Sequence, residues 1–101
     1  MTRVEDLETV HLVTMPEKTK MEHGKLYVSM EFRLAIHLCA CGWCNEQTVT
    51  PFILEGESDF PPKWKYTEVD GKVTLHPSIG NMNMPCKSHY WVQNGKVVGW
   101  C

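Results

Sequence analysis

Apolar and polar residues alternate with the period of a β-strand through most of the chain from Gly24 onward. Lys25–Phe32 places Leu26, Val28, Met30 and Phe32 on one face, and Ala35-Ile36-His37-Leu38 predicts a second strand. Gln47-Thr48-Val49-Thr50 predicts a third, stopped or edged by Pro51, because proline cannot donate to a ladder. Glu55–Pro62 is rich in polar, Gly and Pro residues and predicts a loop. Two hairpins follow. Trp64–Val69 and Lys72–Leu75 flank Asp70-Gly71, and Tyr90–Gln93 and Lys96–Trp100 flank Asn94-Gly95. Both dipeptides tolerate the positive φ angles of a type I′ turn. Residues 1 to about 20 carry few order signals beyond Val10, Leu12 and Val13. No helical periodicity persists beyond about ten residues. The expected fold is mainly β, with two C-terminal hairpins and little helix.

Length limits what this pattern builds. In 101 residues there is room for one domain with a small core. Residues 1–21 are expected to form a weakly ordered or peripheral segment, and 22–101 the β-rich body. A hydrophobic fraction of 43% and a charged fraction of 22% are those of an ordinary globular protein. The net charge of −2 lacks the basic excess of a general nucleic-acid binder. The acidic start has no apolar signal region, and no apolar run approaches the roughly 20 residues of a membrane span. The expected location is the cytoplasm, without membrane contact.

Five soft ligands add chemistry to this frame. Cys39, Cys41 and Cys44 lie within six residues, and Cys86 and His89 form a later C-x2-H. Thiolate and imidazole are the ligands zinc prefers, and four would close a tetrahedral shell. An odd number of bunched thiols in a reducing compartment points to metal rather than to disulfides. Cys41, Cys44, Cys86 and His89 are the favoured set, with Cys39 an alternative ligand or a nearby thiol. Cys101 has no partner at metal spacing and is expected to be a free thiol. His37 shares a strand face with Cys39 and Cys41, but its plainer reading is a hydrogen-bonded strand histidine. His11, His23 and His76 are isolated and are expected at the surface. Trp43 lies between two of the ligands, as a recognition residue or a cap over the metal.

A catalytic reading competes with the structural one. Cys44-Asn45-Glu46 followed by Pro85-Cys86-Lys87-Ser88-His89 approximates the zinc deaminase pattern, in which Glu46 would shuttle protons. The surplus of thiols opposes it, since a closed shell marks a structural site. A Ser78 or Ser88 nucleophile served by His89 ranks lower still, because a metal-bound histidine cannot also act as a base. In Pro77-Ser78-Ile79-Gly80-Asn81 the favoured reading is a turn, with Ser78 and Asn81 as ligand-binding residues the alternative.

Several motifs together carry a resemblance. Gly24–Ser29, His37–Gly42, Thr48–Pro51, Leu75–Asn81 and Pro85–Val92 resemble the DUF6527 family of small metal-binding proteins, over nearly four-fifths of the chain. The family pattern reads C-x-C-G-C-G, whereas here Trp43 precedes Cys44, which leaves the choice among Cys39, Cys41 and Cys44 open. The resemblance implies no particular activity. Some members are similar in setting to accessory proteins of bacterial ubiquitin-like conjugation systems, which implies a protein partner. The expectation is a β-rich domain clasped by one structural zinc and serving as a protein-interaction module. The alternative is a zinc-dependent hydrolase or deaminase-like enzyme using Glu46.

Overall fold

The computed structural model describes residues 3–13, 20–42, 46–58, 63–80 and 89–99. Among the described residues eight strands occur in chain order and neighbour one another in that order: β1 (Glu8–His11), β2 (Lys25–Ser29), β3 (Leu34–Leu38), β4 (Gln47–Ile53), β5 (Trp64–Val69), β6 (Lys72–Gly80), β7 (His89–Gln93) and β8 (Lys96–Val98). The β1–β2 and β4–β5 pairs are parallel and the other five antiparallel. The segment entering β1 meets β8 through an Asp6–Lys96 bridge. There Leu7 N–H donates to Gly95 O at 2.7 Å and Val97 N–H to Glu5 O at 2.8 Å. These bonds join the two ends of the strand order, so the sheet closes on itself. No helix among the described residues is long and apolar enough to cross a membrane.

The mainly β expectation holds, and both hairpins turn where the sequence places them. Asp70 and Gly71 have φ of 53° and 76°, and Asn94 and Gly95 have 49° and 74°. Elsewhere the boundaries differ. Leu26 and Val28 are fully buried, but β2 ends at Ser29 because Met30–Arg33 form a turn. Ser29 Oγ accepts the Phe32 N–H there at 3.3 Å, and Arg33 sits at a φ of 54° with its guanidinium on Glu57 and on the Met30 carbonyl. Phe32, which alternation places on one face with Leu26 and Val28, is thus left 54% exposed. The segment read as peripheral supplies β1 and the buried Leu7.

Strand β4 runs through Pro51 rather than stopping there, and its register explains why. Phe52 N–H donates to Arg33 O, and Glu46 O accepts from Cys39 N–H. By the alternation of an antiparallel ladder, Thr48 and Thr50 also face β3, while Gln47, Val49 and Pro51 turn away from it. The missing N–H of Pro51 therefore falls on the side where β3 does not need it.

The core is built from the inward residues of this ring, including Leu26, Val28, Phe52, Leu75, Tyr90 and Val92. Phe52 and Tyr66 stack with ring centroids 4.4 Å apart, joining β4 to β5 where their pairing is shortest. Burying side chains of this size contributes roughly 1.5–3 kcal/mol each, which is the main stabilising term in so small a fold.

Candidate active site

Strands β6 and β7 fall out of register at one point. Leu75 faces Val92 and Ile79 faces Tyr90, so His76, Pro77 and Ser78 stand opposite Trp91 alone. This is a bulge with two extra residues on β6, a device that bends a strand and re-aims its side chains. Within the bulge the His76–Pro77 bond is cis. Beyond it Ile79 and Tyr90 point into the core, 2% and 0% exposed, and Gly80 pairs with His89 on the other face. Period-two alternation puts Ser78 on that same outer face, diagonal to His89. Ser78 Oγ lies 2.7 Å from His89 Nε2, and both residues are half-buried. In the tautomer with Nε2 unprotonated, the hydroxyl donates to the imidazole.

This pair has firm support beneath it. Trp64 Nε1 donates to the Ser78 carbonyl at 3.3 Å. Tyr90, next to His89 but facing inward, has its hydroxyl 2.5 Å from His37 Nε2. His37 is fully buried, and that burial pushes its imidazole down to about 4, so it is neutral at physiological pH. Its Nδ1 has no hydrogen-bond partner among the described residues. The outer face beside Ser78 carries Trp91, whose ring packs against His76 at 5.5 Å.

A cleft of about 170 Å³ lies between β4 and the end of β6, lined by Gln47–Thr50, by Trp64, and by Ile79 and Gly80, with neither Ser78 nor His89 among its lining residues. A larger hollow of about 430 Å³ lies between the loop after β4 and β5, lined by residues such as Leu54, Glu57 and Tyr66. Neither Ser78 nor His89 lines it.

The five predicted metal ligands distribute unevenly. Cys39 and Cys41 are buried at the exit of β3, 0% and 1% exposed, on a turn where Gly42 N–H reaches Cys39 O at 3.3 Å. Cys44 and Cys86 lie outside the described residues, as do Trp43, Asn81, Ser88 and Cys101. His89 is on Ser78 through Nε2, so a metal at this residue would have to use Nδ1. Glu46, the proton shuttle of the zinc-hydrolase reading, is exposed, and its carbonyl accepts from Cys39 N–H. His37 follows its plainer reading as a hydrogen-bonded strand histidine. His11 and His76 are exposed, as expected, and His11 pairs with Glu68 at 3.0 Å.

The reading of Pro77–Asn81 as a turn is corrected: Pro77–Gly80 belong to β6, and Ser78 meets a histidine eleven residues on. The C-x2-H spacing obscures that pair in the sequence, because it points His89 to a metal. The available signal was the chemistry itself, a serine and a histidine at the two ends of one predicted strand connection.

No curated relative and no solved structure matches the chain. The sequence model of one family, described as the bacterial ubiquitination-like system serine protease BubE, matches residues 13–101. This match overturns the assignment to DUF6527 and retains the link to a bacterial ubiquitin-like system. Two of the five stretches that resemble DUF6527, Leu75–Asn81 and Pro85–Val92, contain Ser78 and His89. With a match that takes in β2 to β8, the chain belongs to the BubE family of bacterial ubiquitination-like systems.

Proposed function

We propose that the protein is a serine protease that cleaves a peptide-type amide bond within a bacterial ubiquitination-like system, with Ser78 as nucleophile and His89 as general base. The observation that carries this reading is the 2.7 Å approach of Ser78 Oγ to His89 Nε2, a nucleophile–base contact within hydrogen-bond reach. Ser78 Oγ attacks the carbonyl carbon as its proton passes to His89 Nε2. The protonated imidazole then gives that proton to the leaving amine, and the acyl group remains on Ser78. Water, deprotonated by His89, releases the acid and restores the hydroxyl. Main-chain N–H groups beside Ser78 would stabilise the oxyanion, and Gly80 offers one unobstructed by a side chain. The family's setting supports protein substrates and partners, and the cytoplasm is the natural compartment for them.

Labelling with a fluorophosphonate tests the reading. Ser78 is expected to be the modified residue, Ser78→Ala to abolish labelling, and His89→Ala to slow it by roughly 10²–10⁴, the usual worth of a general base. Undiminished labelling of Ser78→Ala would overturn the assignment.

A structural zinc is a second, compatible proposal, favoured by the buried Cys39 and Cys41 on one tight turn. With His89 Nε2 committed to Ser78, the thiols of Cys39, Cys41, Cys44 and Cys86 would form a closed shell. Such a shell supplies stability and leaves no open position for chemistry.

A further inference from the structure

We infer that Trp64 is a positioning residue for the Ser78–His89 pair, its indole N–H holding the Ser78 peptide unit in the plane that sends Oγ toward His89. This deepens the protease reading and rests on it. Ser78 sits where the sheet grips its main chain least. Toward β7 the bulge leaves His76, Pro77 and Ser78 opposite Trp91 alone, and Pro77 has no N–H to give. Toward β5 the last ladder pair is Lys65–His76, two residues short of Ser78. By the alternation of an antiparallel ladder, Ile79 turns its main chain toward β7 opposite Tyr90. The Ser78 carbonyl therefore turns toward β5 and passes beyond the last pair.

A carbonyl placed there needs a donor from elsewhere. Trp64, the first residue of β5, supplies one from its side chain, as Nε1 donates to the Ser78 carbonyl at 3.3 Å. The indole is itself held. Its ring packs against the main core, and its main chain pairs with Phe52 of β4, which is fully buried. Phe52 in turn stacks on Tyr66, two residues along β5. A donor fixed by this much packing keeps its direction while the strand end it serves does not.

The consequence reaches Oγ through the rigidity of the peptide bond. The Ser78 carbonyl and the Ile79 N–H point in opposite directions from one planar unit. The Ile79 end faces Tyr90 in the β6–β7 ladder, and the Ser78 end is held by the indole. Pinned at both ends, the unit cannot roll about the strand axis. Such a roll would swing the Cα–Cβ bond of Ser78 and lengthen the 2.7 Å contact with His89 Nε2. Trp64 touches neither reacting atom. It acts through the Ser78 main chain on the geometry of attack, to which rates are steeply sensitive.

The experiment replaces the Trp64 indole by benzothiophene, introduced as benzothienylalanine, which keeps the ring shape and removes the N–H. Trp64→Phe is the second variant. Each folded protein is treated with a small alkyl fluorophosphonate, and the limiting rate at saturating probe is separated from the half-saturating concentration. The limiting rate at Ser78 is expected to fall roughly 2- to 10-fold, the worth of one neutral hydrogen bond, with half-saturation unchanged. In a His89→Ala background the same replacement is expected to change nothing further, because the contact through which the indole acts is already gone. An unchanged limiting rate, or an equal loss in the His89→Ala background, would overturn the positioning role while leaving the catalytic pair standing. Wild-type protein that does not label at Ser78 would overturn both.

Discussion

The hydroxyl of Tyr90 and Nε2 of His37 meet 2.5 Å apart in a fully buried position, joining β7 to β3 across the core. One residue earlier on β7 the side chain points the other way, and there His89 meets Ser78. The buried bond therefore fixes the height at which His89 leaves the sheet. Tyr90→Phe is expected to leave His37 without its Nε2 partner and to cost about 1–3 kcal/mol, the penalty for an unpaired buried polar group. Urea denaturation checks the loss. A slower fluorophosphonate reaction at Ser78 in protein that is still folded checks the positioning role.

Gly99 follows β8 at a φ of 68°, and a Cβ built there would stand 2.7 Å from Trp91 Cδ1. The obstacle is an indole ring held against His76, so it cannot swing aside without disturbing the bulge that carries Ser78. Gly99→Ala is expected to destabilise the fold by roughly 1–3 kcal/mol, combining backbone strain with overpacking. Thermal unfolding beside Gly95→Ala, where the nearest atom to a Cβ is 3.5 Å away, separates the two contributions.

Acid should weaken the protein through Glu68. The Tyr66 hydroxyl, and to a lesser degree His11, donate to its carboxylate and hold it below the ordinary value of 4.5. A carboxylate depressed in the folded state adds stability that is present above its unfolded value and lost as pH falls through the folded one. Stability measured by urea unfolding is therefore expected to drop below about pH 4.5, and Glu68→Gln to make that drop shallower. An unchanged slope in the variant would dismiss this carboxylate as a contributor.

If the thiols hold zinc, purified protein should carry about one equivalent per chain, and a strong chelator should lower its thermal midpoint. Cys41→Ser is expected to lose the metal, whereas Ser78→Ala should retain it. Elemental analysis of the two variants distinguishes a thiol clasp from a site that depends on the Ser78–His89 pair.

The two hairpins were legible because Asp70-Gly71 and Asn94-Gly95 encode their geometry in two adjacent residues. The β1–β2 pairing was not, because Val10 and Leu12 give a strand no partner until distant residues close the ring. The continuation of β4 past Pro51 was hidden for a related reason. Whether a proline breaks a strand depends on which neighbour its N–H would have faced, and that is a property of the sheet. The Ser78–His89 contact is hidden more deeply. The residues of Pro77-Ser78-Ile79-Gly80 suit a turn locally, and only the ladder to β7 keeps them extended. His89 was claimed by its spacing from Cys86, a local signal that says nothing of a serine brought beside it by a two-residue bulge.

Pro51 also sets a limit on the flank of β4 that turns away from β3. A strand laid against Gln47 and Val49 finds the next outward position without a donor, and beyond it Ile53 already paired with Lys65. Visitors therefore get a short handhold and no continuous rail. That brevity should protect the protein from edge-to-edge self-assembly, the ordinary hazard of a naked strand. Replacing Pro51 by a residue that restores the N–H would lengthen the rail, and the cost would appear as self-association.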